Sequence, residues 1–297
     1  MEEVNLEFRK LTLDCMESLR PFFAKNQCRI CDCTIGGTFI WRDYHNTEYA
    51  VEDGTLYLKV THPEPAFAPP RGERVSKSSY ERIIAFCRAN GMPARLRSVS
   101  EAVLKVIVEM YPKSEYHTER AWSDYLYLSD DLKNLSGRRY AGQRNHINRF
   151  LKENPEWAFE RVSAGNIGAV RAYVEKSALE YEGGSKVNIE GNKKALEVLD
   201  NFEKYGQSGG ALTVAGEVIG VSLGETIDDT LFVHVEKADT SRHGSYPMLM
   251  NQFARSFATD GIIYINREED DGVEGLRTSK MSYHPVELLE KYIVTLS

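Results

Sequence analysis

The sequence predicts an α/β (α+β) protein built from two copies of one unit, each a sheet flanked by helices. Three observations lead there. Short β-branched and aromatic runs alternate with segments of helical period along all 297 residues. The order of elements in the first half, strand, helix, Asp-Gly hairpin, helix, strand, helix, is echoed in the second: strand, two helices, a three-strand meander, helix, strand, short helix, terminal strand. Length and a 42% hydrophobic content suffice for two cores.

In chain order, Leu6–Leu11 reads as a strand and Asp14 as the cap of an amphipathic helix with Met16, Leu19, Phe22 and Phe23 on its apolar face, stopping near Asn26. Residues 34–41 hold Gly36-Gly37 followed by Phe39-Ile40-Trp41, a turn into a strand. Tyr49–Val51 and Thr55–Val60 flank Glu52-Asp53-Gly54, a hairpin signal because Asp-Gly accepts the positive φ of a tight turn. The segment 64–72 is proline-rich and reads as a loop. Ser78 caps a helix to Asn90 that Gly91 ends; Ala94–Val99 is a strand, Ser100–Met110 a helix stopped by Pro112, and Tyr125–Leu128 a strand. Trp157–Val162 is a strand, and Ser163 caps a helix through Tyr181, which Gly183-Gly184 breaks. Glu190–Tyr205 is a helix. Gly209–Val214 and Val218–Gly224 form a hairpin around Ala215-Gly216, Leu231–Val235 is a strand, Met248–Ala258 a helix and Tyr292–Leu296 a terminal strand. The repeat places the division at 1–155 and 156–297.

Composition narrows the function classes. A net charge of −7 disfavours binding of nucleic acid or membrane by the whole surface. No run of about eighteen apolar residues occurs, which is the length a membrane-spanning helix needs. The first ten residues, MEEVNLEFRK, carry no apolar signal core, so a cytoplasmic location is expected. The five cysteines, Cys15, Cys28, Cys31, Cys33 and Cys87, read as thiols rather than a disulfide framework. Cys28-x-x-Cys31-x-Cys33 is tight enough for zinc, with His45 as the available fourth ligand. No second Cys pair follows, so no metal is expected. Hydrolase signatures, a Walker loop and a dinucleotide fingerprint are absent.

Two stretches stand out chemically. Residues 262–285, IIYINREEDDGVEGLRTSKMSYHP, open as a buried strand and stop in a dense set of amide, carboxylate and guanidinium groups. Polar chemistry at the end of a sheet is where open α/β folds place their sites; a solvated acidic loop is the plain alternative. Residues 133–152 hold six Lys/Arg, among them Arg138, Arg139 and Arg144, and no acid. In an acidic chain that segment suits phosphate or RNA, or packs on the acidic body.

Several motifs carry a resemblance: Ser-Leu-Gly-Glu at 222–225, His-Val-Glu-Lys-Ala-Asp at 234–239, Asn-Arg-Glu-Glu-Asp at 266–270, Glu-Gly-Leu-Arg at 274–277 and Lys-Met-Ser-Tyr-His-Pro at 280–285. Asp-Tyr-Leu-Tyr at 124–127 and the Gly-Arg-Arg and Arg-Asn-His-Ile-Asn-Arg-Phe segments within 137–150 join them. The chain resembles the bacterial family related to the C-terminal domain of phosphatidylglycerol lysyltransferase. The resemblance implies two tandem GNAT acyltransferase-like domains, each a mixed, mostly antiparallel sheet flanked by helices, as in the Fem-type peptidyltransferases. It also implies acyl or aminoacyl transfer from a thioester or an aminoacyl-tRNA to an amine or hydroxyl, with a small molecule or a lipid headgroup as acceptor. The alternatives are a CoA-dependent N-acetyltransferase using acetyl-CoA or another acyl-CoA, and a non-catalytic binding module that keeps the fold.

Carried onto this chain, the resemblance makes Glu236 a general base, Lys237 a charge stabiliser or donor contact, and Tyr283 a general acid. Strand alternation sends Glu236 and Lys237 to opposite faces, so one of them faces the cleft. Arg242, Gly244 and Ser245 stand where the family's phosphate loop enters a helix, and the loop's usual glycine pattern is degraded to one glycine. Asn266, Arg267, Glu268, Asp270 and Lys280 would line the acceptor side, and Arg138, Arg139 and Arg144 would meet a tRNA donor. His234 reads as a satisfied core histidine.

Overall fold

The computed structural model describes residues 6–24, 28–180 and 186–297. The chain forms two compact units, Met1–Asp124 with Glu269–Val273 and Leu289–Ser297, and Tyr125–Glu268 with Glu274–Leu288.

The first unit holds strands β1 (Arg9–Lys10), β2 (Glu48–Glu52), β3 (Thr55–Val60), β4 (Ala66–Phe67), β5 (Arg95–Val99) and β6 (Glu115–Thr118), joined by the C-terminal strand β14 (Tyr292–Thr295). Their spatial order is β1-β2-β3-β4-β5-β14-β6. The β2–β3 hairpin turns at Asp53 (φ 49°) and Gly54 (φ 72°), the left-handed pair that the Asp-Gly signal anticipates. Helices Lys77–Ala89 and Glu101–Met110 bring Tyr80, Ile83, Leu104 and Ile107 onto Tyr57, Phe67, Leu96 and Val294. Ser100 caps the second of these helices through the Val103 N–H.

The second unit holds β7 (Asp124–Leu128), β8 (Trp157–Arg161), β9 (Ser208–Val214), β10 (Glu217–Ile227), β11 (Thr230–Ala238), β12 (Tyr264–Asn266) and β13 (Glu287–Leu289), in the order β13-β7-β12-β11-β10-β9-β8. β8 through β11 form an antiparallel meander. β11 and β12 are parallel, which requires a crossover, and helix Ser245–Phe257 supplies it. That helix packs Met250, Phe253 and Ala254 onto Leu231, Val233 and Ile265.

Several expectations need correction. Residues 34–41 are not a turn into a strand: Thr34 Oγ1 accepts the Gly37 N–H (2.8 Å) and starts helix Ile35–Ile40. Ile35, Phe39 and Ile40 have helical spacing, but Gly36-Gly37 and the β-branched and aromatic residues obscure it. The first strand shortens to Arg9–Lys10, and Glu190–Tyr205 resolves into helices Lys186–Asp200 and Phe202–Tyr205. β6 and β13 carry too little apolar alternation to read as strands. The stop near Asn26 and the break at Gly183-Gly184 lie outside the described residues.

The division at 155/156 is also displaced. β7 pairs with β12, placing Tyr127 opposite Ile265. Asn251 on helix Ser245–Phe257 donates to the Leu132 and Lys133 carbonyls, at 2.7 and 2.9 Å. Residues 125–155 are thereby bound into the second unit, and β14, between β5 and β6, returns the C-terminus to the first.

Candidate active site

β11 and β12 pair over three residues, Thr230 with Tyr264 through Phe232 with Asn266. β11 then continues to Ala238 while the chain after Asn266 turns away: Arg267 donates its N–H to the Tyr125 carbonyl (3.0 Å), and the Glu268 carbonyl accepts from Tyr125 (3.2 Å). Side chains bridge the opening. His234 contacts Glu225 through Nε2 (2.8 Å) and Glu268 through Nδ1 (2.7 Å). Burial pulls the imidazole toward neutrality, but the two carboxylates outweigh it and push His234 up to about 10. Two positions further along the same strand face, Glu236 Oε1 accepts from Arg267 Nη2 (2.7 Å). The Arg267 guanidinium lies over the rings of Tyr283 (5.0 Å) and Tyr127 (5.9 Å). Burial alone would lower its pKa, but Glu236 reverses that, so Arg267 stays charged.

The bend carrying Arg267 and Glu268 is clamped. Glu268 is left-handed (φ 56°), an uncommon conformation for a residue with a side chain. Asn266 Oδ1 accepts the Glu268 N–H (2.6 Å), and Lys280 Nζ donates to the carbonyls of Arg267 (2.6 Å) and Glu268 (3.3 Å). Asn266 and Lys280, expected to line the acceptor side, therefore hold the backbone that aims Arg267 and Glu268.

Three polar atoms at this place are buried without a hydrogen-bond partner among the described residues: Glu236 Oε2, Arg267 Nη1 and Ser222 Oγ. Ser222 is fully buried and is the cross-strand partner of Glu236, so the two side chains share a face. A buried polar atom left unpaired costs about 1–3 kcal/mol. Three together, one acceptor, one donor and one hydroxyl, concentrate unmet hydrogen-bonding capacity where β11 and β12 separate. A shift of register between Leu223 and Gly224 creates the pairing; without it Ser222 would oppose Val235. Gly224 permits the shift, since a Cβ there would stand 2.1 Å from the Phe232 carbonyl oxygen.

The remaining expected site residues are distributed otherwise. Lys237 faces away from Glu236 and bonds Asn192 on helix Lys186–Asp200; burial lowers its pKa. Tyr283 is buried, and desolvation pushes its phenol to about 12, so it keeps its proton at neutral pH. The loop expected to cradle phosphate is engaged internally. Arg242 donates to Asn154 (2.9 Å) and pairs with Asp239 (3.5 Å), while Ser245 Oγ donates to the Asp239 carbonyl (2.6 Å). Gly244 (φ 81°) lies so close to the His146 carbonyl oxygen that a Cβ would stand 2.2 Å from it. In the basic segment, Arg139 pairs with Asp131 (2.8 Å) and Arg144 donates to the carbonyls of Leu135 and Gly137, whereas Arg138 is exposed. Asp270 belongs to the first unit, where it pairs with Arg120 (3.2 Å) and accepts the Gly272 N–H (2.9 Å).

Sequence reasoning missed Ser222, Glu225 and Tyr127 as site residues. All three lie in motifs that carry the family resemblance, but their convergence depends on sheet register. The first unit holds a separate charged cluster. Lys291 Nζ lies 2.7 Å from Asp32, 2.7 Å from Asp124 and 2.9 Å from Glu269, and donates to Cys31 Sγ at 3.2 Å. Cys31, Asp124 and Glu269 offer ligand atoms within 4.8 Å of one another, a set with metal-binding chemistry, but the Lys291 ammonium already supplies the cation there. His45, the residue available to complete a metal set with the cysteines, contacts the His62 carbonyl (3.1 Å).

Comparisons with known proteins bear on the fold. A conserved protein of unknown function from Bacteroides thetaiotaomicron is 31% identical and superposes with a TM-score of 0.89, over 99% of this chain and 100% of that one. The structure of L-PGS from Bacillus licheniformis, 14% identical, matches with a TM-score of 0.65 over 94% and 91% of the two chains. FemX, 11% identical, shares the tandem arrangement at a TM-score of 0.50 over 98% of each. An uncharacterized protein of Mycoplasmoides gallisepticum is 23% identical over 190 residues, so the match spans 61% of this chain and 60% of that relative. No helix among the described residues is long and apolar enough to cross a membrane. With residues 27–295 matching its profile, the chain belongs to the family described as phosphatidylglycerol lysyltransferase, C-terminal.

Proposed function

We propose that this protein is a group transferase that moves an aminoacyl group from an aminoacyl-tRNA to an amine or hydroxyl acceptor in the second unit. The observation that carries the reading is the set of buried, unsatisfied atoms Glu236 Oε2, Arg267 Nη1 and Ser222 Oγ where β11 and β12 separate. Transfer to an amine or hydroxyl needs a base for the acceptor proton and a donor for the carbonyl oxygen as it becomes an oxyanion. Glu236 Oε2 is the acceptor of that proton. Arg267 Nη1, on a guanidinium fixed by Glu236 and the two tyrosine rings, is the donor to the oxyanion. Ser222 orients whichever group bridges them. Tyr283, protonated at neutral pH, is the candidate acid for the leaving oxygen. His234, Glu225 and Glu268 keep β10, β11 and the bend in register.

The internal bonding of Arg242 and Ser245, with His146 against Gly244, weighs against a CoA donor, because that helix start is where a CoA pyrophosphate would need open N–H groups. A tRNA donor would draw on exposed basic groups such as Arg138 and Lys152.

The test supplies the purified protein with tRNA charged with labelled amino acids, and separately with labelled acetyl-CoA. Acceptors are phosphatidylglycerol vesicles and soluble amines. Label should move from aminoacyl-tRNA, and Glu236→Gln should lower the rate about 10²–10⁴-fold with the fold retained by circular dichroism. Transfer from acetyl-CoA instead would establish the N-acetyltransferase. No transfer from either donor, with Glu236→Gln binding tRNA and acceptor unchanged, would leave a binding module.

A further inference from the structure

The cysteines of the first unit are not evenly disposed. Cys31 points toward Asp124 and Lys291, whereas Cys33, two residues on, turns the other way, and its Sγ lies 2.9 Å from Cys28 Sγ. A 3₁₀ turn enforces this division: the Cys33 N–H donates to the Ile30 carbonyl and the Thr34 N–H to the Cys31 carbonyl, both at 3.0 Å. Thr34 then caps the next helix, so Cys33 has little freedom to move away. Cys28 is half-buried and Cys33 buried. Next to the pair stands Arg71, 8% exposed. Its Nη2 donates to the Asp32 carbonyl (2.8 Å), and its Nη1 is buried without a hydrogen-bond partner among the described residues. A buried guanidinium with an unused N–H beside two touching sulfurs favours a thiolate there.

We propose that Cys28 and Cys33 are a redox-active dithiol that closes to an intramolecular disulfide by exchange with a low-molecular-weight disulfide. The two sulfurs play different parts. The Cys33 S–H donates to Cys28; against burial, which acts the other way, that bond with help from Ile30, Arg71 and Ser100 draws Cys28 down to about 7. The same bond and burial push Cys33 up. Cys28 thiolate is therefore the attacking sulfur. It displaces one thiolate from the small disulfide to give a mixed disulfide. Cys33, losing its proton, then displaces the second thiolate. The small disulfide is reduced to two thiols, and the protein loses two hydrogens. The ring so closed contains Cys31 and Asp32, both contacts of Lys291, so oxidation pins the segment that carries them.

The test is peptide mapping of the full native chain, independent of any transferase assay. The protein is equilibrated with glutathione and glutathione disulfide at graded ratios, remaining thiols are alkylated, and the chain is cut with trypsin. Cleavage after Arg29 separates Cys28 from Cys31 and Cys33, so the disulfide appears as peptides 26–29 and 30–42 joined, two hydrogen masses below their sum. That species should saturate as the disulfide fraction rises, disappear with dithiothreitol, persist in Cys31→Ser and vanish in Cys28→Ser. On the reduced wild-type chain, Cys28 alkylation should be half-maximal near pH 7, while Cys87, pushed up to about 11 by burial, stays silent. Thiols that remain unlinked at the most oxidising ratio would overturn the proposal. So would a link through Cys31, or a glutathione adduct that stays on Cys28 without passing to Cys33.

Discussion

His234 carries a carboxylate on each ring nitrogen, an arrangement that holds imidazolium. With the folded pKa raised to about 10 and an unfolded value of about 6.5, the stability it contributes is complete below about pH 6.5 and is lost as pH rises through about 10. Melting temperature should therefore fall from about pH 7 to 10, and the fall should be shallower in His234→Gln. Lys291 gives the second prediction at this scale. Burial raises Asp32, Asp124 and Glu269 toward protonation, but Lys291 outweighs it at Asp32 and Glu269 and holds both down; Asp124 remains at about 7. Lys291→Met leaves those carboxylates buried without their cation and should cost about 3–5 kcal/mol in urea unfolding at neutral pH. The deficit should shrink at pH 5, where the uncompensated carboxylates take up protons.

At the scale of elements, the site depends on where β11 and β12 stop pairing. Three paired residues bind the strands, and the departure at Arg267 is fixed by Asn266 and Lys280 acting on the backbone. Lys280→Met frees two carbonyls of the bend and should reduce transfer while leaving Glu236 in place; a rate unchanged from wild type would show that the clamp is dispensable. The start of helix Ser245–Phe257 offers a purely structural prediction. Gly244→Ala adds a methyl group at φ 81° against the His146 carbonyl and should destabilise the fold by about 1–3 kcal/mol, seen as a lower melting temperature.

At the scale of the whole molecule, the chain passes between its two units four times, after residues 124, 268, 273 and 288. β14 lies inside the first sheet and β7 inside the second, so each sheet includes a strand from the far side of residue 155. Fragments 1–155 and 156–297 each lack one such strand. Expressed separately, neither should give a cooperative unfolding transition; co-expression should restore one. Folded fragments with sharp transitions would show that β14 and β7 are dispensable.

Local chemistry was enough to reveal the α/β class, the repeated unit, the Asp-Gly hairpin and most of the longer helices, though the caps move: the helix expected to start at Ser78 is capped by Ser76. Hydrophobic period and turn residues act within a few positions of themselves, so they are legible along the chain. The opposite faces of Glu236 and Lys237 follow from strand alternation for the same reason. What tertiary structure decided lies beyond that range. Ser222 meets Glu236 because a bulge at Gly224 shifts a ladder by one residue. Asn266 and Lys280 bind backbone, because the bend at Glu268 leaves an N–H that needs an acceptor and carbonyls that need a donor. Arg242 is occupied by Asn154 at the end of helix Ala141–Glu153, remote in sequence, while Ser245 turns back onto Asp239 in its own loop. The units divide at 124/125 rather than 155/156 because strand pairing joins residues more than a hundred positions apart. Register and long-range pairing are settled by which partners satisfy buried polar groups, and a linear sequence does not display that.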